Sequence, residues 1–291
     1  MIVYYIVTLI SVLLETAKNV FSNDFSKTEL KSKTDIYLFN SLMYGASFLV
    51  LLLIACVRGF FLSWYSVGMA LAFALVSGGM QTTMLRALRH GPLAYVNFIQ
   101  TSGLVIPALY GAILLQQGIS LMQWIALPLL LLSFALVLDL KRSDTGTSGP
   151  WFLDAMLSFL CCGLVGVIQA AHQASSHAHE IDAFLCLTFL FIVIMNLVPW
   201  LHIKRRSTTP FRISSRMARQ SLLSGAFMGV VNTVNLFLVG VMPSIVFFPI
   251  ANGGLLIMTM LAAVIFFKER LRLIQWLGIL LGLGAMCMLG I

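Results

Sequence analysis

Ten apolar runs, most of them about twenty residues long, alternate with short polar connections along almost the whole chain. They cover residues 2–21, 36–57, 64–85, 92–115, 121–140, 151–174, 183–203, 220–241, 243–267 and 272–291. Each predicts a helix long enough to cross a bilayer, so the expected fold is all-α with ten transmembrane helices. The first run is the one that breaks its own pattern. At about 100° per helical residue, Thr8, Ser11, Glu15, Lys18, Asn19 and Ser22 fall within an arc of roughly 100°. Val7, Leu9, Leu13, Leu14, Ala17 and Val20 lie mostly outside that arc. A charge at mid-bilayer depth costs ~2.5–3.5 kcal/mol on insertion scales, so the polar stripe is expected to face a bundle interior or a watery cavity. Pairing of Glu15 with Lys18, at i,i+3, lowers the cost.

The stripe recurs once. A slide that lays Gln169-Ala170-Ala171-His172-Gln173 on Glu15-Thr16-Ala17-Lys18-Asn19 also lays Ser176 on Ser22, polar on polar throughout. Asp182-Ala183-Phe184-Leu185-Cys186 opens the seventh run as Asp35-Ile36-Tyr37-Leu38-Phe39 opens the second. A slide two residues shorter brings Leu121-x-Gln123-Trp124 onto Leu273-x-Gln275-Trp276, Gln100 onto Asn252 and Tyr95 onto Phe247. These matches predict two five-helix repeats, residues 1–145 and 146–291, with the seam in the polar stretch Lys141 to Pro150. Five is odd, so the second repeat enters the membrane inverted. Inverted repeats of this kind place transporter sites near mid-membrane.

Composition agrees with the pattern: the 291 residues are 60% hydrophobic and 10% charged, and the mean hydropathy is +0.98. The net charge of +8 is not a nucleic-acid footprint. Lys27, Lys31, Lys33, Arg86, Arg89, Lys141, Arg142, Lys204, Arg205, Arg206, Arg212, Arg216, Arg219, Lys268, Arg270 and Arg272 all fall in the odd-numbered loops or at their edges. Arg58 stands alone on the opposite side, and Lys18 lies within the first run. By the positive-inside rule the odd loops are cytoplasmic and both termini lie outside. The expected location is a bacterial-type plasma membrane. The N-terminus has neither a basic n-region nor a small-residue cleavage site, so the first run is expected to remain as a helix. Cys56, Cys161, Cys162, Cys186 and Cys287 fall in apolar runs without metal-ligand spacing.

The candidate chemistry is polar side chains in apolar surroundings. Glu15, Lys18 and Asn19 in the first helix, with Gln169, His172 and Gln173 in the sixth, are expected to line a central cavity. Gln81, Asn97, Gln100, Asn232 and Asn252 are candidates for the rest of its wall, each competing with a role as helix-to-helix glue. Tyr95, Phe98, Phe247 and Phe248 are candidates for an interfacial aromatic belt or for π faces toward a cation. Gly225-x-x-x-Gly229 and Gly278-x-x-x-Gly282 are expected at close helix contacts. His177-x-His179-Glu180 has too few ligands for a metal site and is expected in a solvated loop. No Gly-rich phosphate loop, nucleophile elbow or zinc-protease motif is present in the sequence.

At Phe248-Pro249-x-x-Asn252-Gly253-Gly254, Phe267-Lys268-Glu269-Arg270-Leu271, Gln275-Trp276-Leu277-Gly278 and Gly282, the chain resembles the end of an EamA-type member of the drug/metabolite transporter superfamily. The resemblance extends over the whole chain through the repeat, and its most specific part is the Glu-Arg-Leu, Gln, Gly spacing. It implies a ten-helix secondary carrier of small metabolites or drugs, often an exporter. Glu15 resembles, in type and depth, the proton-coupling glutamate of the superfamily's small multidrug exporters. Two features depart from the family. Gln116-Gln117-Gly118 stands where the first repeat would carry Glu-Arg-Leu, so that loop is expected to lack the helix-end role. The family's ten-helix members are usually described with cytoplasmic termini, opposite to the charge count here.

The expected function is secondary active transport of a small polar or amphipathic metabolite by alternating access, with protons coupled through Glu15. No cofactor and no enzymatic activity are expected. The partners are the substrate, protons and membrane lipid, and the protein is expected to be a monomer or homodimer. Multidrug or organic-cation efflux, flipping of a lipid-linked intermediate, and a membrane scaffold without transport are the competing readings.

Overall fold

The structure is a computed structural model that describes residues 2–28, 33–90, 99–100, 102–137, 149–206, 213–267 and 272–289. Ten α-helices account for most of the described residues: α1 Ile2–Thr28, α2 Lys33–Arg58, α3 Trp64–His90, α4 Val105–Ile113, α5 Leu121–Val137, α6 Gly149–Gln173, α7 Ile181–Arg206, α8 Ser215–Val241, α9 Ser244–Phe267 and α10 Leu273–Leu289. No strand occurs among the described residues, so the fold is all-α. Five of the helices, α1, α2, α6, α7 and α8, are long and apolar enough to cross a membrane.

Polarity is distributed as a lipid solvent demands. On α1, Ile2, Val3, Ile6, Leu9, Ile10 and Leu13 are exposed, whereas Thr8, Ser11 and Thr16 are buried. In water this arrangement would be costly, because exposed apolar area lacks a favourable environment and buried hydroxyls forgo hydration. The hydroxyls are answered locally instead. Thr8 Oγ1 donates to the Tyr4 carbonyl at 2.8 Å and Ser41 Oγ to the Tyr37 carbonyl at 2.7 Å.

The chain forms two compact units, each assembled from distant segments. One comprises Met1–Val12, Val76–Ser175 and Leu238–Ile291; the other comprises Leu13–Leu75 and Ser176–Phe237. Helices α1, α3 and α8 therefore each contribute to both. In the second unit α2 packs along α7, with Leu38, Phe39, Met43, Trp200 and Met217 forming a buried cluster. Helix α8 approaches α2 at the predicted glycines. A Cβ on Gly225 would strike the Met43 carbonyl and come within 2.7 Å of the Ala46 Cβ. Ser47 Oγ sits at this crossing and donates to the carbonyls of Gly225, at 2.8 Å, and Met43, at 3.1 Å.

In the first unit α10 packs on α5 and α9, while α4 packs on α6 and α9. Gly282 lies against Ile257 and Ser133, where a Cβ would meet the Ser133 Oγ at 2.9 Å. The repeated Gln-Trp pair has a local cause. Gln123 Oε1 accepts the Ser120 N–H at 3.1 Å while Ser120 Oγ accepts the Gln123 N–H at 3.2 Å, a reciprocal capping box that starts α5. Gln275 Oε1 accepts the Arg272 N–H at 2.9 Å, the glutamine half of that box, at the start of α10.

The Gln116-Gln117-Gly118 loop, expected to lack a helix-end role, has one. Gln116 takes a left-handed backbone, φ 50°, and Gln117 Oε1 accepts the N–H of Ser244 at 2.8 Å. The amide thus satisfies a donor in the first turn of α9 that has no partner within its own helix.

Candidate functional site

Glu15 and Lys18 form an ion pair one helical turn apart on α1. Their side chains are 20% and 14% exposed, respectively, so most of both charged groups is withdrawn from solvent. Lys18 Nζ donates to Glu15 Oε1. Glu15 Oε2 is buried and makes no hydrogen bond among the described residues. The carboxylate therefore keeps one acceptor oxygen for a further donor, a proton or a cation. Tyr44 of α2 lies within electrostatic reach of Glu15, and its ring packs against Phe189 of α7 at 5.9 Å between centroids. Asn19 is half-buried on the same helix.

The amides divide by role. Asn232 Nδ2 donates to the Met228 carbonyl at 2.9 Å and Asn252 Nδ2 to the Phe248 carbonyl at 2.9 Å; both bonds stay within their own helices. Gln81 is exposed and Gln100 half-buried, while Asn97, with Tyr95 and Phe98, lies outside the described residues. Two asparagines missing from the sequence-based set join α2 to α7. Asn40 Nδ2 donates to Asn196 Oδ1 at 3.4 Å, and Asn196 Nδ2 donates to the Ile192 carbonyl at 2.9 Å. An asparagine within each of the apolar runs of α2 and α7 was the available signal.

The residues that the sequence slide lays on the α1 charges sit in the other unit, at the C-terminal end of α6. Gln169 and His172 are buried, as is Ser158 higher on the same helix. Gln173 Nε2 lies 3.3 Å from His172 Nδ1. Its Oε1 would be 2.7 Å from a Cβ on Gly240, so the absence of a side chain on α8 makes room for the amide. Phe247 and Phe248 are buried and meet edge to face at 5.2 Å between centroids, which makes them core residues rather than members of an interfacial belt.

The His177-x-His179-Glu180 stretch departs from the expected solvated loop. Glu180 is 5% exposed, and its Oε2 accepts the N–H and the hydroxyl of Ser63 at 2.9 and 2.7 Å. His177 Nδ1 lies 3.1 Å from Glu180 Oε1, with its ring stacked on Tyr65 at 5.0 Å. Only His179 remains well exposed, at 62%. This is a carboxylate clasp between the turn before α3 and the turn before α7. No group of three or more possible metal ligands occurs among the described residues.

No protein-family model matches the sequence, and no curated protein matches it. Solved structures do match. One of them, described only as "Crystal structure of protein", is similar over 99% of this chain and 98% of its own, with a TM-score of 0.75 at 14% sequence identity. At that identity the similarity establishes a shared fold.

Proposed function

We propose that this protein is a secondary active transporter of a small polar or amphipathic metabolite, exporting it by alternating access in exchange for protons bound at Glu15. The proposal includes ten membrane-crossing helices arranged as two inverted repeats, as in the drug/metabolite transporter superfamily that the sequence resembles. The observation that carries it is the Glu15–Lys18 pair, largely buried on a helix whose other face is exposed and apolar. Intramembrane charges are expensive and mark ion or substrate pathways. The carboxylate's unbonded Oε2 gives a proton or a substrate donor somewhere to bind.

The inverted repeat is supported by the helix pairing. Second packs on seventh, fourth on ninth and fifth on tenth, and the members of each pair hold the same place in the order of the two proposed repeats. A pseudo-two-fold axis produces contacts of this type, because an element beside the axis meets its own copy.

Transport by purified protein in liposomes with an imposed pH gradient tests the reading. Glu15→Gln keeps the size of the side chain and its hydrogen-bonding ability while removing titration, so proton-driven flux is expected to disappear with the fold intact. Full proton-coupled activity in Glu15→Gln would reduce Glu15 to a structural ion-pair partner.

A further inference from the structure

The first three turns of α8 carry a feature that transport through Glu15 does not use. Ser215, Arg216, Arg219, Gln220 and Leu223 share one face of the helix, and with Phe21 of α1 they line a half-open cleft of about 340 Å³. That volume lies at the low end of the ~300–1,000 Å³ typical of ligand pockets. All six residues belong to the second unit. Phe21 is fixed as one wall by stacking on Phe227 at 6.1 Å between centroids, and Gln220 is buried, at 4% exposure. The two arginines are exposed, and none of the described lining residues is acidic.

From this arrangement we propose that the pocket binds a phosphate-bearing anion, with Arg216 and Arg219 gripping the phosphate and Phe21 and Leu223 covering an adjoining less polar portion. Guanidinium forks match phosphate oxygens bidentately. A basic pocket between helices at the edge of a membrane suits an anionic headgroup. Topology alone does not ask for this construction, since the positive-inside rule requires only that the charges stay in water. Lys204, at the end of α7, meets that requirement without a cavity, its Nζ resting 4.7 Å from the centroid of the Trp200 ring. Nor is the helix end the attraction: Ser214 Oγ already accepts the Met217 N–H at 3.0 Å.

The anion has two possible sources, an anionic lipid and a soluble phosphate, and the experiment separates them. Full-length protein in a non-ionic detergent is titrated with dihexanoyl phosphatidylglycerol, with dihexanoyl phosphatidylcholine and with inorganic phosphate, and binding is followed by calorimetry. The expected result is saturable binding of phosphatidylglycerol, weakened at least about tenfold in R216Q/R219Q, the scale of two basic side chains acting on one headgroup. K204Q/R205Q removes the same charge outside the pocket and is expected to stay within about twofold of the native protein. Inorganic phosphate binding with the same arginine dependence would support the site with a soluble source. If R216Q/R219Q does not fold, R216K/R219K carries the test: it keeps the charge, loses the fork and is expected to bind several-fold more weakly. Equal weakening in the pocket and control variants, unchanged binding in R216K/R219K, or no binding of any probe would overturn the proposal.

Discussion

Ser63 gives both its backbone N–H and its hydroxyl to one oxygen of Glu180, at 2.9 and 2.7 Å. The pair joins two segments of one unit that lie far apart in sequence and lead into α3 and α7. Arg58 Nη1 approaches Asp182 Oδ1 at 3.8 Å beside it. Together these contacts close one end of the α2–α7 packing.

Removing the clasp should therefore cost stability. Glu180→Ala leaves the two Ser63 donors without their acceptor, and hydrogen bonds to charged groups are worth ~1.5–3 kcal/mol each. With two such bonds lost, a drop of roughly 3 kcal/mol or more is expected, read as a lowered thermal midpoint of the purified protein in detergent. Glu180→Gln, which keeps one carbonyl acceptor, should recover part of it. An unchanged midpoint in Glu180→Ala would show that the clasp carries no stability.

The close crossing of α2 and α8 predicts opposite signs for two glycine substitutions. Gly225→Ala drives a methyl into the Met43 carbonyl, and overpacking of this kind costs ~1–3 kcal/mol. A methyl placed on Gly45 of α2 would meet nothing within 4 Å, so Gly45→Ala should be neutral or stabilise the helix by up to ~1 kcal/mol. Thermal unfolding of the two single variants checks the contrast, and similar losses in both would refute the crossing.

Gln123 should carry more than its cap. It both caps α5 and donates from Nε2 to the Leu289 carbonyl at 3.3 Å, tying the start of α5 to the end of α10. Gln123→Ala is expected to cost about 1–2 kcal/mol, the cap and the tie together. Denaturant titration measures the loss, and a cost below about 0.5 kcal/mol would show that neither bond contributes.

Orientation in the membrane is tested on α7, whose 26 residues span ~39 Å at 1.5 Å per residue. With the exposed native thiols Cys56 and Cys287 replaced by serine, a cysteine at His179 should react with a membrane-impermeant maleimide added outside intact cells. A cysteine at Arg205 should react only after permeabilisation. The reverse pattern would place the basic loops outside.

What the sequence by itself determined was whatever depends on residues one or two helical turns apart. The apolar runs, the stripe through Thr8, Ser11 and Glu15, its pairing with Lys18 and the small-residue spacing at Gly225 and Gly229 all follow from helical periodicity and the cost of charge in an apolar medium. Tertiary structure alone decided the relationships that join distant segments. Asn40 found Asn196, Glu180 was buried under Ser63, Gln117 capped a helix more than one hundred residues away, and Phe247 and Phe248 went to the core. A local pattern shows which face of a helix is polar, but the azimuth and register at which that face meets another helix depend on every side chain between them. For that reason Gln117 could be recognised as polar in the sequence, while its bond to the Ser244 N–H emerged only once the helices were packed.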